Sequence, residues 1–114
     1  MDQIVLNEFQ AKILAKYKKT IQEIALEHCT DVSGDYISFN VLRIKTSQQH
    51  KGYGSSVLSA VVQLADRENV RVKLLVTNLW GSDVRQLKQF VRKHGFTETP
   101  VEKDRMIYFP GKIT

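Results

Sequence analysis

Two glycines separate a strand pattern from a helix pattern, and this junction limits the fold more than any other feature. Residues 36–45 alternate as a strand does and are rich in β-branched and aromatic side chains. After Gly52 and Gly54, apolar residues return at helical spacing over 57–65. A second short strand is predicted over 71–77. Strand, loop, helix and strand in this order indicate a parallel pair with a helical crossover.

The patterns on either side of this unit predict further helices and strands. Spacings of three and four between apolar residues predict one long N-terminal helix over 7–28. A helix over 84–94 is stopped by Gly95, and extended pieces follow at 96–97 and 106–109. The expected order is helix, β, α, β, α, β, β, which is an α/β domain around a small mixed sheet.

The composition is that of one ordinary globular domain. The 114 residues, 42% hydrophobic and 25% charged, give a single domain over 1–114 with room for a core. Cys29 is the one cysteine, so neither an internal disulfide nor a cysteine-based metal cage is expected. No stretch is apolar for long enough to cross a membrane. We therefore predict a cytoplasmic protein with no membrane partner and no metal.

The charge balance favours an anionic partner. Seventeen Lys and Arg against twelve Asp and Glu leave a net charge of +5, which attracts polyanions or a phosphorylated cofactor. A nucleic-acid-binding module is one interpretation. However, the sequence shows no recognition helix, zinc-ligand spacing or aromatic stacking pattern, and this argues against it.

The loop between the first strand and its helix has the chemistry of a phosphate site. Its backbone N–H groups precede a helix and have no helical acceptor, and the helix dipole adds positive charge there. A P-loop is excluded because Lys51 precedes the glycine, and a dinucleotide fingerprint is excluded because Val57 holds the third glycine position. The candidate binding residues are Gln49, His50, Lys51, Gly52, Tyr53, Gly54 and Ser55.

This loop resembles the signature of the GCN5-related N-acetyltransferase superfamily. That signature, Gln/Arg-x-x-Gly-x-Gly/Ala, is matched by Gln49, Gly52 and Gly54. The sequence of the segment 49–54 is particularly similar to that of the histone acetyltransferase branch. The segment at 91–97, which contains Gly-Phe, also looks like the helix end that closes the family's cofactor half. The resemblance covers about residues 36–110 and implies the family's fold, with acetyl-CoA as cosubstrate.

The resemblance also implies backbone roles for the strand before the loop. In the family this strand parts from the next parallel strand, and pantetheine inserts between them. On this chain the bonding residues would be Leu42 and Ile44, and the Leu42 N–H would be the oxyanion donor. The loop amides at residues 49–55 would hold the pyrophosphate.

The family's usual acid and base are missing from the sequence. Ser38 stands where histone-type members carry a glutamate base. Val91 stands where many members place a tyrosine acid. Neither side chain titrates, so water has to take part in moving the proton.

Three polar residues are candidates for holding or orienting that water. Ser38 and Asn40 share a predicted strand side with Leu42 and Ile44 and are placed to hold it. Asn78, after the second strand, would orient the same water or bond pantetheine. These residues complete the candidate catalytic set.

The expected activity is transfer of an acetyl group from acetyl-CoA to a primary amine. The part of the chain before the motif strand is shorter than in the family, so the acceptor site is either open or completed by a second protomer in a homodimer. An open site favours a protein lysine or N-terminus over a small metabolite. The alternative is a coenzyme A-binding regulator, since the acid and base are missing.

Overall fold

The computed structural model describes residues 1–45, 52–76 and 84–111. These residues form a compact α+β domain of three helices on a mixed five-stranded sheet, as predicted at this level. Within them, no helix has the length and apolar character needed to span a bilayer. In chain order the elements are α1 (Gln3–Lys16), β1 (Ile21–Asp31), β2 (Gly34–Ile44), α2 (Tyr53–Glu68), β3 (Arg71–Leu75), α3 (Val84–Lys93), β4 (Thr97–Glu98) and β5 (Arg105–Tyr108).

The predicted crossover unit forms the centre of the sheet. The strand order is β1-β2-β3-β5-β4. β2 and β3 are parallel and joined by α2, whereas the other neighbours are antiparallel. The apolar stripe of α2 is buried as predicted. Gly95, with φ of 93°, follows the end of α3 in the left-handed region that glycine tolerates best.

The prediction of one long helix over 7–28 is wrong. The helix ends at Lys16, and an additional strand, β1, forms a hairpin with β2. A shift in the β1–β2 register lies between Ile21 and Glu23, so the buried side chains of Ile21 and Ile24 fall three residues apart. The buried residues of this irregular strand thus have the spacing that is typical of a helix.

α1 lies along the free edge of β1. The Gln10 Oε1 accepts a hydrogen bond from the Leu26 N–H at 2.9 Å, and its Nε2 donates to the Leu26 carbonyl at 3.4 Å. The Gln3 Oε1 accepts from the His28 N–H at 2.7 Å. Two glutamine amides therefore satisfy edge groups that a further strand would otherwise pair with.

The two faces of the sheet differ in burial. One face, here called the helix face, packs against the helices in a single apolar core. The alternate residues point to the other side, here called the open face, and are half-buried. The helix face carries Ile37, Phe39, Val72, Leu74, Met106 and Tyr108. The open face carries Tyr36, Ser38, Lys73, Arg105 and Ile107.

Candidate functional site

The parallel strands β2 and β3 pair over only part of their length. The ladder runs from Tyr36 opposite Arg71 to Phe39 opposite Leu74. β2 then continues to Ile44, paired on its other side with β1. The side of residues 40–44 that faces away from β1 is here called the wedge.

A β-bulge lies where the wedge begins. Leu26 of β1 pairs with Phe39, but the preceding residue, Ala25, pairs with Val41. Asn40 is therefore the additional residue on β2. Such a bulge changes which side of the strand the following residues face.

The bulge corrects the prediction that four residues share one side of this strand. Ser38 faces the open face, and its hydroxyl donates to the Asn40 Oδ1 at 2.5 Å. Beyond the bulge, Leu42 is fully buried and Ile44 is buried, both in the core. Ser38 and Asn40 thus lie on the side opposite to the side chains of Leu42 and Ile44, because strict alternation fails at one extra residue.

The backbone of Leu42 is nevertheless directed toward the wedge. The Leu26 N–H and carbonyl bond to Gln10, outside the sheet. Backbone groups alternate along a strand, so those of Ala25 and of its partner Val41 face each other. Those of Leu42 then face away from β1. This is the direction that the predicted oxyanion donor requires.

α2 begins in a conformation that glycine tolerates best. Gly52 has φ of 82° and ψ of 1°, and an added Cβ would meet no heavy atom within 4 Å. Backbone angle, and not space, is therefore the reason for a glycine here. The first helical bond runs from the Ser56 N–H to the Gly52 carbonyl at 3.2 Å. The N–H groups of Tyr53, Gly54 and Ser55 consequently have no acceptor within the helix.

His94, just after the end of α3, joins that helix to the first turns of α2. Its Nε2 lies 3.1 Å from the Ser55 Oγ, and its Nδ1 lies 3.4 Å from the Ser59 Oγ. The Phe90 ring packs edge-on, with ring centroids 5.1 Å apart. Burial lowers the pKa of His94, which favours the neutral ring. The sequence places His94 on an apolar stripe, and nothing in its spacing indicates the two serines.

A groove of about 420 Å³ opens on the open face. Ser38 lies on its wall, so the groove reaches one of the predicted catalytic residues. The Lys73 ammonium lies 4.2 Å from the centroid of the Tyr36 ring, which fixes one side. The lining includes Tyr36, Ser38, Lys73, Glu102, Arg105 and Ile107.

Two buried residues near the core are unsuitable as the catalytic acid. Val91, at the family's tyrosine position, is fully buried and has no polar side-chain atom. Tyr108 is also fully buried, and its hydroxyl donates to Asp66 at 2.7 Å. Burial, followed by this hydrogen bond, raises the pKa of Tyr108 to about 12. Tyr108 therefore holds β5 to α2 and keeps its proton.

The structure describes part of the predicted site. Gln49, His50, Lys51 and Asn78 lie outside the described residues. In the described ranges, no group of three or more His, Cys, Asp or Glu side chains is placed to hold a metal ion. The predicted residues whose positions are described are Ser38, Asn40, Leu42, Ile44, Gly52, Tyr53, Gly54 and Ser55.

The chain matches no protein-family model, and no curated protein matches it. The residues and their geometry are therefore the basis on which a function is assigned.

Proposed function

We propose that this protein is an N-acetyltransferase of the GCN5-related type, moving an acetyl group from acetyl-CoA to a primary amine. The observation that carries the proposal is that β2 continues to Ile44 beyond Phe39, its last residue paired with β3, whereas β3 ends at Leu75. Helix α2, which begins after Gly52, lies within the crossover connection between these two strands. An edge of β2 that extends past β3, followed along the chain by a helix N-terminus, suits an extended thioester with a diphosphate at one end.

Cofactor binding in this proposal uses backbone groups. Pantetheine lies in the wedge and bonds to the backbone of Leu42 and Ile44. The diphosphate lies on the N–H groups of Tyr53, Gly54 and Ser55, where the α2 dipole favours negative charge. Gln49, His50 and Lys51 add donors from the preceding loop.

The chemical step is direct transfer. The ammonium group first gives a proton to water, because only the neutral amine has a lone pair. Its nitrogen forms a bond to the thioester carbon, and the Leu42 N–H stabilises the charge that develops on oxygen. The C–S bond then breaks, nitrogen loses its second proton, and the leaving sulfur ends as a thiol.

The bulge determines the side from which the amine approaches. Ser38 and Asn40 face the open face, while the Leu42 N–H lies in the plane of the sheet. An amine arriving over the open face meets both polar side chains before it reaches the thioester. Water held by the Ser38 hydroxyl and the Asn40 amide is then placed to remove the proton, with Asn78 as a further donor.

The open-face groove favours a protein amine as acceptor. Its lining combines charged side chains, among them Lys73, Glu102 and Arg105, with apolar ones. A lysine side chain or an N-terminus extends from its own protein surface and can reach across such a groove. A second protomer would supply a further wall. We expect the protein to act in the reducing cytoplasm, with Cys29 as a free thiol.

Calorimetric titration with acetyl-CoA, followed by turnover assays, tests the proposal. We expect binding, and thiol release with a panel of lysine peptides that exceeds release with small amines. Absence of acetyl-CoA binding at every salt concentration tried would reject the proposal. Transfer to small amines alone would reject the protein acceptor and keep the transferase.

A coenzyme A-binding regulator is the second candidate. It is favoured by Ser38 at the base position and by Val91, buried and apolar, at the acid position. Acetyl-CoA binding without transfer to any amine across the pH range would select this function.

A further inference from the structure

The segment between Glu8 and Glu23 contains four lysines and no acidic residue. Lys12 and Lys16 lie on α1, and the other two lie in the turn that leads to β1. All four are exposed. The three nearest β1 are here called the turn lysines, and they are Lys16, Lys18 and Lys19.

An aromatic contact places this turn beside the start of α2. The rings of Tyr17 and Tyr53 meet edge-on with centroids 6.1 Å apart. The Thr20 carbonyl accepts a hydrogen bond at 2.8 Å from the N–H of Lys45, which follows β2. The turn lysines therefore lie at the end of the molecule that holds the wedge and the N–H groups of α2 that have no acceptor within the helix.

The turn lysines differ in their partners from six other cations of the described chain, which form ion pairs with carboxylates. Lys73 and Arg71 pair with Asp31, and Lys88 pairs with Asp104. None of the ion pairs formed among residues 1–45, 52–76 and 84–111 uses a turn lysine. Lys16 instead lies 5.5 Å from the centroid of the Tyr17 ring. Grouped like charges repel one another, and an anionic ligand would relieve this repulsion.

We propose that the turn lysines bind the 3′-phosphorylated nucleotide end of coenzyme A. The inference rests on the proposed function, which places the diphosphate on the first turn of α2. From there the nucleotide leaves the protein past Tyr53, the residue in contact with Tyr17. A 3′-phosphate carries close to two negative charges at neutral pH. Ammonium groups on flexible stems can neutralise these charges without a fixed geometry.

The experiment compares coenzyme A with 3′-dephospho-coenzyme A by calorimetry. The wild-type protein is expected to bind the dephospho form about tenfold more weakly. The Lys18→Gln/Lys19→Gln variant is expected to bind coenzyme A about tenfold more weakly and to distinguish the two ligands hardly at all. The melting temperature of this variant should be close to that of the wild type, because both substituted side chains are exposed.

The matched control is the Arg67→Gln/Lys103→Gln variant. It removes the same net charge from exposed positions at the C-terminal end of α2 and between β4 and β5. This control should keep the wild-type preference for the 3′-phosphate. Full discrimination in the turn variant would overturn the inference while leaving the transferase proposal intact.

Two further outcomes overturn the inference in distinguishable ways. If the wild-type protein binds neither coenzyme A nor its dephospho form, the proposed function itself fails. A random-sequence single-stranded DNA serves as a second polyanion. If the turn variant loses affinity for the DNA but keeps its preference for the 3′-phosphate, the turn binds nucleic acid instead.

Discussion

The two ends of the sheet use positive charge in different ways. At the end with the β1–β2 turn, here called the hairpin end, the Asp31 carboxylate accepts hydrogen bonds from Arg71 at 2.6 and 3.0 Å and from Lys73 at 2.7 Å. These bonds hold the pKa of Asp31 well below its usual range. At the wedge end, the turn lysines are exposed. Charge is therefore engaged in ion pairs at one end and exposed at the other, where we propose that it binds a ligand.

The two ends also differ in the regularity of their backbone. At the hairpin end, the parallel pair is in register from Tyr36 and Arg71 onward, and both cations lie near the Tyr36 ring. At the wedge end, the bulge at Asn40 and the left-handed Gly52 interrupt regular structure. Irregular backbone of this kind is common near functional sites. The difference gives four predictions, ordered by their effect on binding or transfer of coenzyme A.

The largest effect is expected from a negative charge at Gly52. Gly52→Asp should lower affinity for acetyl-CoA about a hundredfold, because the new carboxylate lies beside the proposed diphosphate position and repels the ligand. Gly52→Asn is the matched control, since Asn has the same size and tolerates positive φ. It should lose far less affinity in the same titration. Equal losses in both variants would mean that crowding, and not charge, is responsible.

A smaller effect is expected at Ser38. Ser38→Ala should lower the rate of acetyl transfer about tenfold and leave KM for acetyl-CoA unchanged, because the hydroxyl acts on the amine proton. Ser38→Thr keeps a hydroxyl and should retain most of the rate. Steady-state kinetics with a lysine peptide measures both. A wild-type rate in the alanine variant would remove Ser38 from the proton path.

A still smaller effect is expected at His94. His94→Gln should weaken binding of acetyl-CoA about threefold, since His94 contacts Ser55 in the first turn of α2. The pH dependence of stability has a definite sign. Burial lowers the pKa of folded His94, so the unfolded chain binds more protons, and stability falls as pH drops below about 6.5.

Urea unfolding of His94→Gln at several pH values tests this assignment. The variant should lack the part of the slope that begins near pH 6.5, because Gln does not titrate there. His28→Gln is a control for general histidine effects. An unchanged slope in the His94 variant would show that another group causes it.

No effect on binding is expected at the hairpin end. Asp31→Asn should destabilise the fold, because two half-buried cations lose their partner, yet leave acetyl-CoA affinity unchanged. The lowered pKa of Asp31 means that its contribution is present above about pH 4 and is lost as pH falls further. The difference in stability from the wild type should therefore shrink in acid.

Unfolding curves and titrations of the same Asp31→Asn sample separate the two ends. Glu8→Gln, an exposed carboxylate on α1, is the control and should change neither quantity. A clear loss of acetyl-CoA affinity in the Asp31 variant would mean that the ends are coupled. The division of roles would then be wrong.

The elements that rest on local patterns are predictable from the sequence. α2, β3 and α3 carry regular apolar spacing, and a glycine stands at one end of each helix, Gly52 before α2 and Gly95 after α3. β1 is missed because the register shift between Ile21 and Glu23 gives its buried residues helical spacing. Strand propensity alone gives only part of the signal, because packing against cross-strand neighbours also decides whether a segment forms a strand.

The candidate site shows the same limit. The motif predicts a glycine before α2, and Gly52 is found there in the left-handed region, whereas the roles of the loop and of the Leu42 backbone stay predictions. The side on which Ser38 and Asn40 lie depends on one inserted residue, which alternation alone does not reveal. The bonds of His94 to two serines require α3 to pack against α2, and no spacing along the chain encodes that contact.

The glutamine amides of α1 have a consequence for assembly. Gln3 and Gln10 occupy the positions where an incoming chain would add itself to β1. While α1 stays docked, two copies cannot join by merging their sheets along this border, so a homodimer has to form through another surface. Removing α1 would expose the backbone groups along the edge of β1, and the shortened chain should aggregate through this edge.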